Sequence, residues 1–173
     1  MNFNSMQYAL FFIIVCAVYY IIPKKTRYIW LLAASYFFYM QWNAVYALLI
    51  LGVTAITYAA GLAIEKWRDK GKLILTATVI ANLFLMGYFK YTNFILETIS
   101  NISGSNFEPL DIILPVGISF YILQALGYVI DVSRGTVEAE KNPLRYALFV
   151  SFFPQLVAGP IERSGNLMHQ LKE

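Results

Sequence analysis

Apolar residues come in long runs along this chain, and short polar or charged stretches separate the runs. The runs cover residues 6–22, 28–64, 73–89, 112–130 and 146–161. At about 1.5 Å of rise per residue, a helix of roughly 20 residues crosses the ~30 Å hydrocarbon core of a bilayer. This pattern predicts helices that span a membrane rather than the helices of a water-soluble bundle.

The run 28–64 is too long for one membrane-spanning helix, because as a single helix it would extend for about 55 Å. The polar residues at 41–43, with an interface-seeking tryptophan among them, are the best site for a turn. We therefore expect two spans within this run, at about 28–41 and 44–64.

Prolines mark the last two runs. Pro115 falls in the first turn of the run 112–130, where a helix tolerates proline. Pro154 and the pair at 159–160 interrupt the run 146–161, which we do not expect to be one straight span. The whole pattern predicts an all-α, polytopic transmembrane protein with about five to six membrane segments in a single membrane domain, residues 1–173.

Composition agrees with a lipid environment. Hydrophobic residues make up 59% of the 173 residues and charged residues 13%, whereas globular proteins contain roughly 25% charged residues. The chain contains one cysteine, Cys16, which lies within an apolar run. We therefore expect no disulfide within the chain, and no Cys/His cluster indicates a metal site. No basic stripe with interleaved aromatic residues indicates a nucleic-acid partner.

Lysine and arginine are concentrated in three loops. Three lie in 24–27, four in 65–72 and three in 131–145, whereas 97–111 contains none. Because loops rich in lysine and arginine stay in the cytoplasm, we expect these three loops inside and the N-terminus outside. Residues 1–23 carry no charge and therefore lack the basic start of a signal peptide, so we interpret the first run as a retained span.

Small and polar residues in the last third of the chain are the candidates for function. Gln124 and Gln155 are amides within apolar runs, where each needs a hydrogen-bond partner or a wet cavity. Gly117, Ser119 and Gly127 are small enough to let helices approach closely.

Asp131 and Arg134 lie one helical turn apart where the run 112–130 ends, close enough to pair. Helix packing and a structural Asp–Arg pair explain these residues without any chemistry, since small and polar residues join helices in membrane bundles. A transport pathway is another interpretation, because transporters also contain broken helices and intramembrane amides. Against transport, no charged residue lies in the middle of a run.

The region 113–161 carries a dense set of motifs. It contains LPVGISFY at 114–121, DVSRG at 131–135 and FVSFFPQLVAGPI at 149–161. These motifs resemble those of the membrane-bound O-acyltransferase family, especially its alginate O-acetyltransferase-like branch. The chain departs from the usual family pattern at four positions, which are Ile122, Leu123, Gly127 and Ser133.

The resemblance implies a ring of membrane helices in the cell membrane of a bacterium. In such enzymes an acyl group, here expected to be acetyl, passes from a thioester donor such as acetyl-CoA to a hydroxyl group, with no bound cofactor. The acceptor in the alginate-like branch is an extracytoplasmic polysaccharide or cell-wall polymer, reached through an extracytoplasmic partner protein. The residues expected to line the substrate channel are Ser119, Gln124, Tyr128, Asp131, Arg134 and Gln155.

A histidine within the membrane is the general base in this family, and a positioned base contributes roughly 10²–10⁴-fold to the rate. The one histidine of this chain, His169, lies in a polar segment after Gly159-Pro160 and is not expected to fill that role. The resemblance therefore implies the N-terminal part of a longer enzyme, incomplete by itself, and no catalytic residue is assigned. The alternative is a non-catalytic membrane scaffold or a transporter subunit.

Overall fold

The computed structural model describes residues 6–41, 43–103, 110, 114–115 and 117–158, with side chains as far as Gln155. In this part of the chain all regular secondary structure is helical. The described residues form seven α-helices: α1 (Met6–Ile21), α2 (Arg27–Met40), α3 (Ala44–Lys66), α4 (Gly71–Ser103), α5 (Ile118–Arg134), α6 (Pro143–Ser151) and α7 (Phe153–Ala158). Short 3-10 turns at Lys24–Thr26 and Arg68–Lys70 connect α1 to α2 and α3 to α4.

The predicted turn at 41–43 is confirmed, because α2 ends at Met40 and α3 begins at Ala44. Asn43 caps α3, and its side-chain Oδ1 accepts a hydrogen bond from the backbone N–H of Val45 at 2.9 Å. This bond satisfies one of the N–H groups that a helix leaves unpaired at its start. Trp42 lies outside the described residues.

Helix α4 is longer than the apolar run 73–89 that predicts it, since it continues to Ser103. Lys90 and Glu97 are exposed on its surface and do not end it. The difference arises because an apolar run indicates only the part of a helix that contacts lipid, and the helix can continue beyond that part into water. At 1.5 Å per residue α4 is about 50 Å long, so part of it extends beyond a ~30 Å hydrocarbon core.

Helix α5 begins at Ile118, later than the start of the run 112–130. Gly117 precedes it with φ +76°, a left-handed conformation that glycine adopts at little cost. The expectation that Pro115 lies in the first helical turn is wrong, because the chain turns at Gly117 before the helix begins. The carbonyl of Pro115 accepts a hydrogen bond from the N–H of Ile118 at 3.3 Å, which closes this turn.

The run 146–161 is not a straight span, as predicted. Helix α6 ends at Ser151, and Phe152 has an extended ψ of 108° that breaks the helix. Helix α7 then begins at Phe153, with Pro154 in its first turn. Residues beyond 158, including the Gly-Pro pair at 159–160, lie outside the described residues.

Helix α3 lies at the centre of the bundle, where it packs against α2, α4, α5 and α6. The main core joins α3 to α5 and α6, and its fully buried side chains include Ile50, Val53, Ile64, Tyr121, Tyr128 and Phe149. A smaller cluster of Val15, Ala34, Phe38 and Phe153 joins α1, α2 and α7.

Two segments of the described chain are long and apolar enough to cross a membrane, α3 and the segment Arg68–Ser103 that contains α4. Helix α1 is also apolar but shorter. Along the apolar run of α4, large apolar side chains are strongly exposed, as lipid-facing residues are: Leu73, Ile80 and Phe84. The structure supports an all-helical membrane protein, while the number of five to six segments stays a prediction.

Candidate functional site

The break between α6 and α7 is held by side chains from two other helices. The end of α6 leaves backbone carbonyls without a donor from its own helix, and the side-chain Nε2 of Gln124, on α5, donates to the carbonyl of Phe149 at 2.7 Å. On the other side of the break, the N–H of Phe153 donates to Ser35 Oγ of α2 at 3.3 Å. Backbone N–H and C=O groups that lose their helical partners at membrane depth need such side-chain partners, because no water is present there to form hydrogen bonds with them.

Gln124 also connects α5 to α7. Its Nε2 donates to Oε1 of Gln155 at 3.2 Å, and Gln124 is 5% exposed. Two of the amides expected in the substrate channel are therefore brought into contact. The expectation that the Gln124 amide needs a partner is confirmed, and the partner is the broken helix itself.

Tyr128 lies on the same buried side of α5. Its hydroxyl accepts a hydrogen bond from the N–H of Glu140 at 2.8 Å, and its ring centroid is 4.7 Å from that of Tyr146. Tyr146 in turn donates from its hydroxyl to Thr57 Oγ1 at 2.8 Å. These bonds tie α5, α6 and the loop between them to α3.

Gln124, Tyr128, Tyr146, Phe149 and Gln155 together form what we call the amide–aromatic cluster. The ring of Phe149 lies 6.1 Å from Tyr128 and 6.0 Å from Tyr146, measured between centroids. Sequence reasoning selected Gln124, Tyr128 and Gln155 but missed Tyr146. A tyrosine within an apolar run is a signal that could have found it, since a buried tyrosine hydroxyl usually has a hydrogen-bond partner.

Helix α3 approaches Tyr128 at a glycine that sequence reasoning also missed. A Cβ placed on Gly61 would lie 2.9 Å from Cε1 and 3.1 Å from the hydroxyl oxygen of Tyr128. At Gly127, by contrast, a Cβ would meet nothing within 4 Å, so the expectation that this glycine lets helices approach closely is wrong. Gly127 faces open space because α5 turns its neighbouring residues, rather than this glycine, towards α3.

The other expected channel residues, Ser119, Asp131 and Arg134, are not part of the amide–aromatic cluster. Ser119 is half-buried in the first turn of α5. Asp131 and Arg134 lie in the last turn of the same helix, as predicted. Arg134 comes ten residues after Gln124, which is about 15 Å along a helix axis. Pairing between Asp131 and Arg134 stays a prediction.

Two of the basic loops meet at one end of the bundle. Oε2 of Glu65, at the end of α3, accepts a hydrogen bond from the N–H of Ala139 at 2.7 Å. A Cβ on Gly135 would lie 3.5 Å from Nη1 of Arg68. The loops 65–72 and 131–145 are therefore neighbours.

The third basic loop, 24–27, lies at the same end. The guanidinium of Arg145, in the first turn of α6, lies over the ring of Tyr28, 5.5 Å from its centroid. Tyr28 is the second residue of α2 and follows this loop directly. The structure thus brings together the three loops that the charge pattern assigns to one side of the membrane.

The amide–aromatic cluster provides amide and hydroxyl groups. In this part of the chain, no three His, Cys, Asp or Glu side chains come together as metal ligands. His169 and the polar segment around it lie outside the described residues. The arrangement can therefore position a helix and bind polar groups.

The amino-acid sequence of this chain is similar to those of several proteins that are named as enzymes. The chain is 36% identical to a probable alginate O-acetylase of Azotobacter vinelandii, over 98% of the chain and 36% of the relative. It is also 36% identical to the corresponding protein of Pseudomonas aeruginosa, over 98% of the chain and 34% of that relative. A peptidoglycan O-acetyltransferase of Helicobacter pylori is 38% identical, over 84% of the chain and 32% of the relative.

No family model and no solved structure matches the chain. The chain spans about a third of the length of the curated relatives it matches. Nearly all of the chain takes part in the similarity, including the region 113–161 that carries the motifs. These relatives confirm the resemblance of this chain to the alginate O-acetyltransferase-like branch of the membrane-bound O-acyltransferase family.

Proposed function

We propose that this chain is part of a membrane O-acyltransferase that transfers an acetyl group to hydroxyl groups of an extracytoplasmic polysaccharide or cell-wall polymer. The observation that carries the proposal is the 36% identity to alginate O-acetylases over 98% of the chain. A peptidoglycan O-acetyltransferase at 38% identity supports the same chemistry on a different polymer. Both names describe the acetylation of oxygen atoms on a polymer that contains sugars.

In the proposed reaction a polymer hydroxyl attacks the carbonyl carbon of a thioester donor such as acetyl-CoA. The new C–O bond forms, the C–S bond breaks, and the hydroxyl proton passes to a general base while the thiolate leaves. A base must lie within hydrogen-bond reach of the attacking hydroxyl. Because the chain contains one histidine, in a polar segment after the last apolar run, we propose that the chain alone does not turn over.

The amide–aromatic cluster has a positioning role in this proposal. A break in a helix at membrane depth occurs where the backbone is buried in protein or lines a cavity, and the break at Phe152 is tied to α5 and α2. We infer that Gln124, Tyr128 and Gln155 hold the broken helix beside the substrate path. Ser119, at the opposite end of α5 from the basic loops, is proposed to face the acceptor side.

The orientation in the membrane completes the proposal. Ten of the 13 lysines and arginines lie in the three neighbouring loops 24–27, 65–72 and 131–145, which favours a cytoplasmic location for that end. The thioester donor would then approach from the basic end, and the polymer from the other, with the help of an extracytoplasmic partner protein. The N-terminus would lie outside.

Deletion of the coding sequence in the source organism tests the function. We expect a loss of base-labile acetate from the surface polymers, measured as acetate released by mild alkali, and its recovery when the intact sequence is restored. Complementation with Gln124→Met should recover less acetate than complementation with Gln41→Met, which changes an exposed glutamine at the end of α2.

Unchanged acetate after deletion would contradict the proposed function. Full recovery with Gln124→Met would leave the acyltransferase function in place and would show that the amide–aromatic cluster has no part in it. The polymer that loses acetate would identify the acceptor.

A further inference from the structure

A groove of about 360 Å³ lies between α4 and α5, at the end of the bundle where the basic loops meet. Its lining residues are Leu75, Thr76, Val79 and Ile80 of α4 with Ile130 and Arg134 of α5. Four of these six residues are apolar, and Arg134 is the charged one. The groove is separate from the amide–aromatic cluster, which lies on the buried side of α5.

The lining residues form a strip with a cation at one end. On α4 they recur at intervals of four residues, so they share one face of that helix. On α5, Ile130 and Arg134 are also four residues apart and lie one above the other. Because Arg134 is in the last turn of α5, its guanidinium marks the end of the groove nearest the basic loops.

Other basic groups surround this end of the groove. Arg68 reaches the neighbour of Arg134, since its Nη1 would lie 3.5 Å from a Cβ on Gly135. Lys72 lies one turn before Thr76 on α4, and its carbonyl accepts a hydrogen bond from Thr76 Oγ1 at 2.9 Å. Both side chains are exposed.

Acidic residues at this end are fewer than basic ones. Asp131 is the carboxylate closest to Arg134 along α5, one turn before it. The two loops that α4 and α5 adjoin at this end, 65–72 and 131–145, together carry five acidic residues against seven basic ones. The balance of charge at this end of the groove is therefore positive even with Asp131 beside Arg134.

We propose that this groove binds an anionic phospholipid. The lipid phosphate pairs with Arg134, with Arg68 and Lys72 nearby, and an acyl chain lies along the apolar strip. Guanidinium groups bind phosphate oxygens in pairs, and basic pockets between transmembrane helices bind acidic lipid head groups. A soluble phosphate compound would leave the apolar strip uncovered, and a neutral lipid would leave the positive charge uncompensated.

The test compares phosphatidylglycerol with phosphatidylcholine of the same acyl chains. The full chain is purified in a neutral detergent, each lipid is titrated in, and bound lipid is counted by native mass spectrometry. We expect tighter binding of phosphatidylglycerol, and about a fivefold loss of that preference in Arg134→Gln, since each basic residue contributes about 1 kcal/mol at an anionic surface. Arg134→Lys should keep part of the preference, since lysine keeps the charge but not the paired hydrogen bonds, and Lys72→Gln should lose part of it.

Lys90→Gln is the matched control, because Lys90 is an exposed cation on α4 beyond the groove. It should leave the preference for phosphatidylglycerol unchanged. Ile130→Ser should weaken the binding of phosphatidylglycerol without affecting the binding of glycerol phosphate, which lacks the acyl chain.

Equal loss of preference in Arg134→Gln and Lys90→Gln would overturn the proposal, because the effect would then come from overall charge. Displacement of the lipid by an equal concentration of acetyl-CoA would also overturn it, since the groove would then bind the donor's phosphates. Neither result depends on the acyltransferase function, which the acetate measurement tests separately.

Discussion

At the scale of single residues, Gly61 is a helical glycine of the described chain that leaves no room for a side chain. The ring of Tyr128 occupies the space that a Cβ on Gly61 would need, 2.9 Å from Cε1. We expect Gly61→Ala to lower the free energy of unfolding by about 1–3 kcal/mol, the usual cost of overpacking a core. Thermal unfolding in detergent measures this change.

Gly52→Ala is the control on the same helix, because a Cβ there would meet nothing within 4 Å. Alanine stabilises a helix relative to glycine by up to about 1 kcal/mol, so Gly52→Ala should unfold at the same temperature or higher. Equal stability of the two variants would show that Tyr128 moves aside easily and that Gly61 is not needed.

The amide of Gln124 is the second residue with a specific task. Gln124→Met keeps the length of the side chain but removes the donor to the Phe149 carbonyl, which is then buried without that bond. Leaving a buried acceptor unsatisfied costs about 1–3 kcal/mol, and we expect a loss of that size in the free energy of unfolding. Gln41→Met, at an exposed position, should be neutral, and a neutral Gln124→Met would contradict the role of Gln124 in the break.

At the scale of elements, the break between α6 and α7 depends on α2 as well as on α5. Ser35 is fully buried, donates to the Leu31 carbonyl at 2.7 Å and accepts from the Phe153 N–H at 3.3 Å. Ser35→Ala leaves that N–H without its acceptor, so we expect a destabilisation of about 1–3 kcal/mol. Chemical unfolding of the purified chain measures it.

Ser103→Ala provides the comparison, because Ser103 makes the same type of bond, to the Ile99 carbonyl at 2.7 Å, on an exposed helix surface. Water can replace that bond, and the change should be within about 0.5 kcal/mol of zero. A Ser35→Ala variant as stable as Ser103→Ala would mean that the start of α7 finds another partner.

At the scale of the whole molecule, the three basic loops define one end of the bundle. We expect this end in the cytoplasm, so in a Cys16→Ser background an impermeant thiol reagent should label Lys70→Cys only after the cells are permeabilised. Asn101→Cys, exposed near the other end of α4, should be labelled in intact cells. Labelling of Lys70→Cys in intact cells would contradict this topology, because it would place the basic loops outside the cell.

Local features of the sequence were sufficient to predict several parts of this fold. The run lengths placed α1, α2 and α3 to within a few residues, the polar residues at 41–43 marked the turn, and Pro154 marked the broken helix. These features are local. Proline and capping residues affect the backbone next to them, and the thickness of the bilayer sets the length of each apolar run. The motifs at 114–161 likewise indicated the family, which the relatives confirm.

The contacts between helices could not be read from the same pattern. In lipid the outer surface of a bundle is as apolar as its core, so hydrophobic periodicity does not tell which face of α5 meets α3. The rotation of each helix about its axis is set by packing all of them together. That packing placed Gly61 rather than Gly127 against a neighbouring helix, joined Gln124 to Gln155, and left Arg134 at the mouth of the groove.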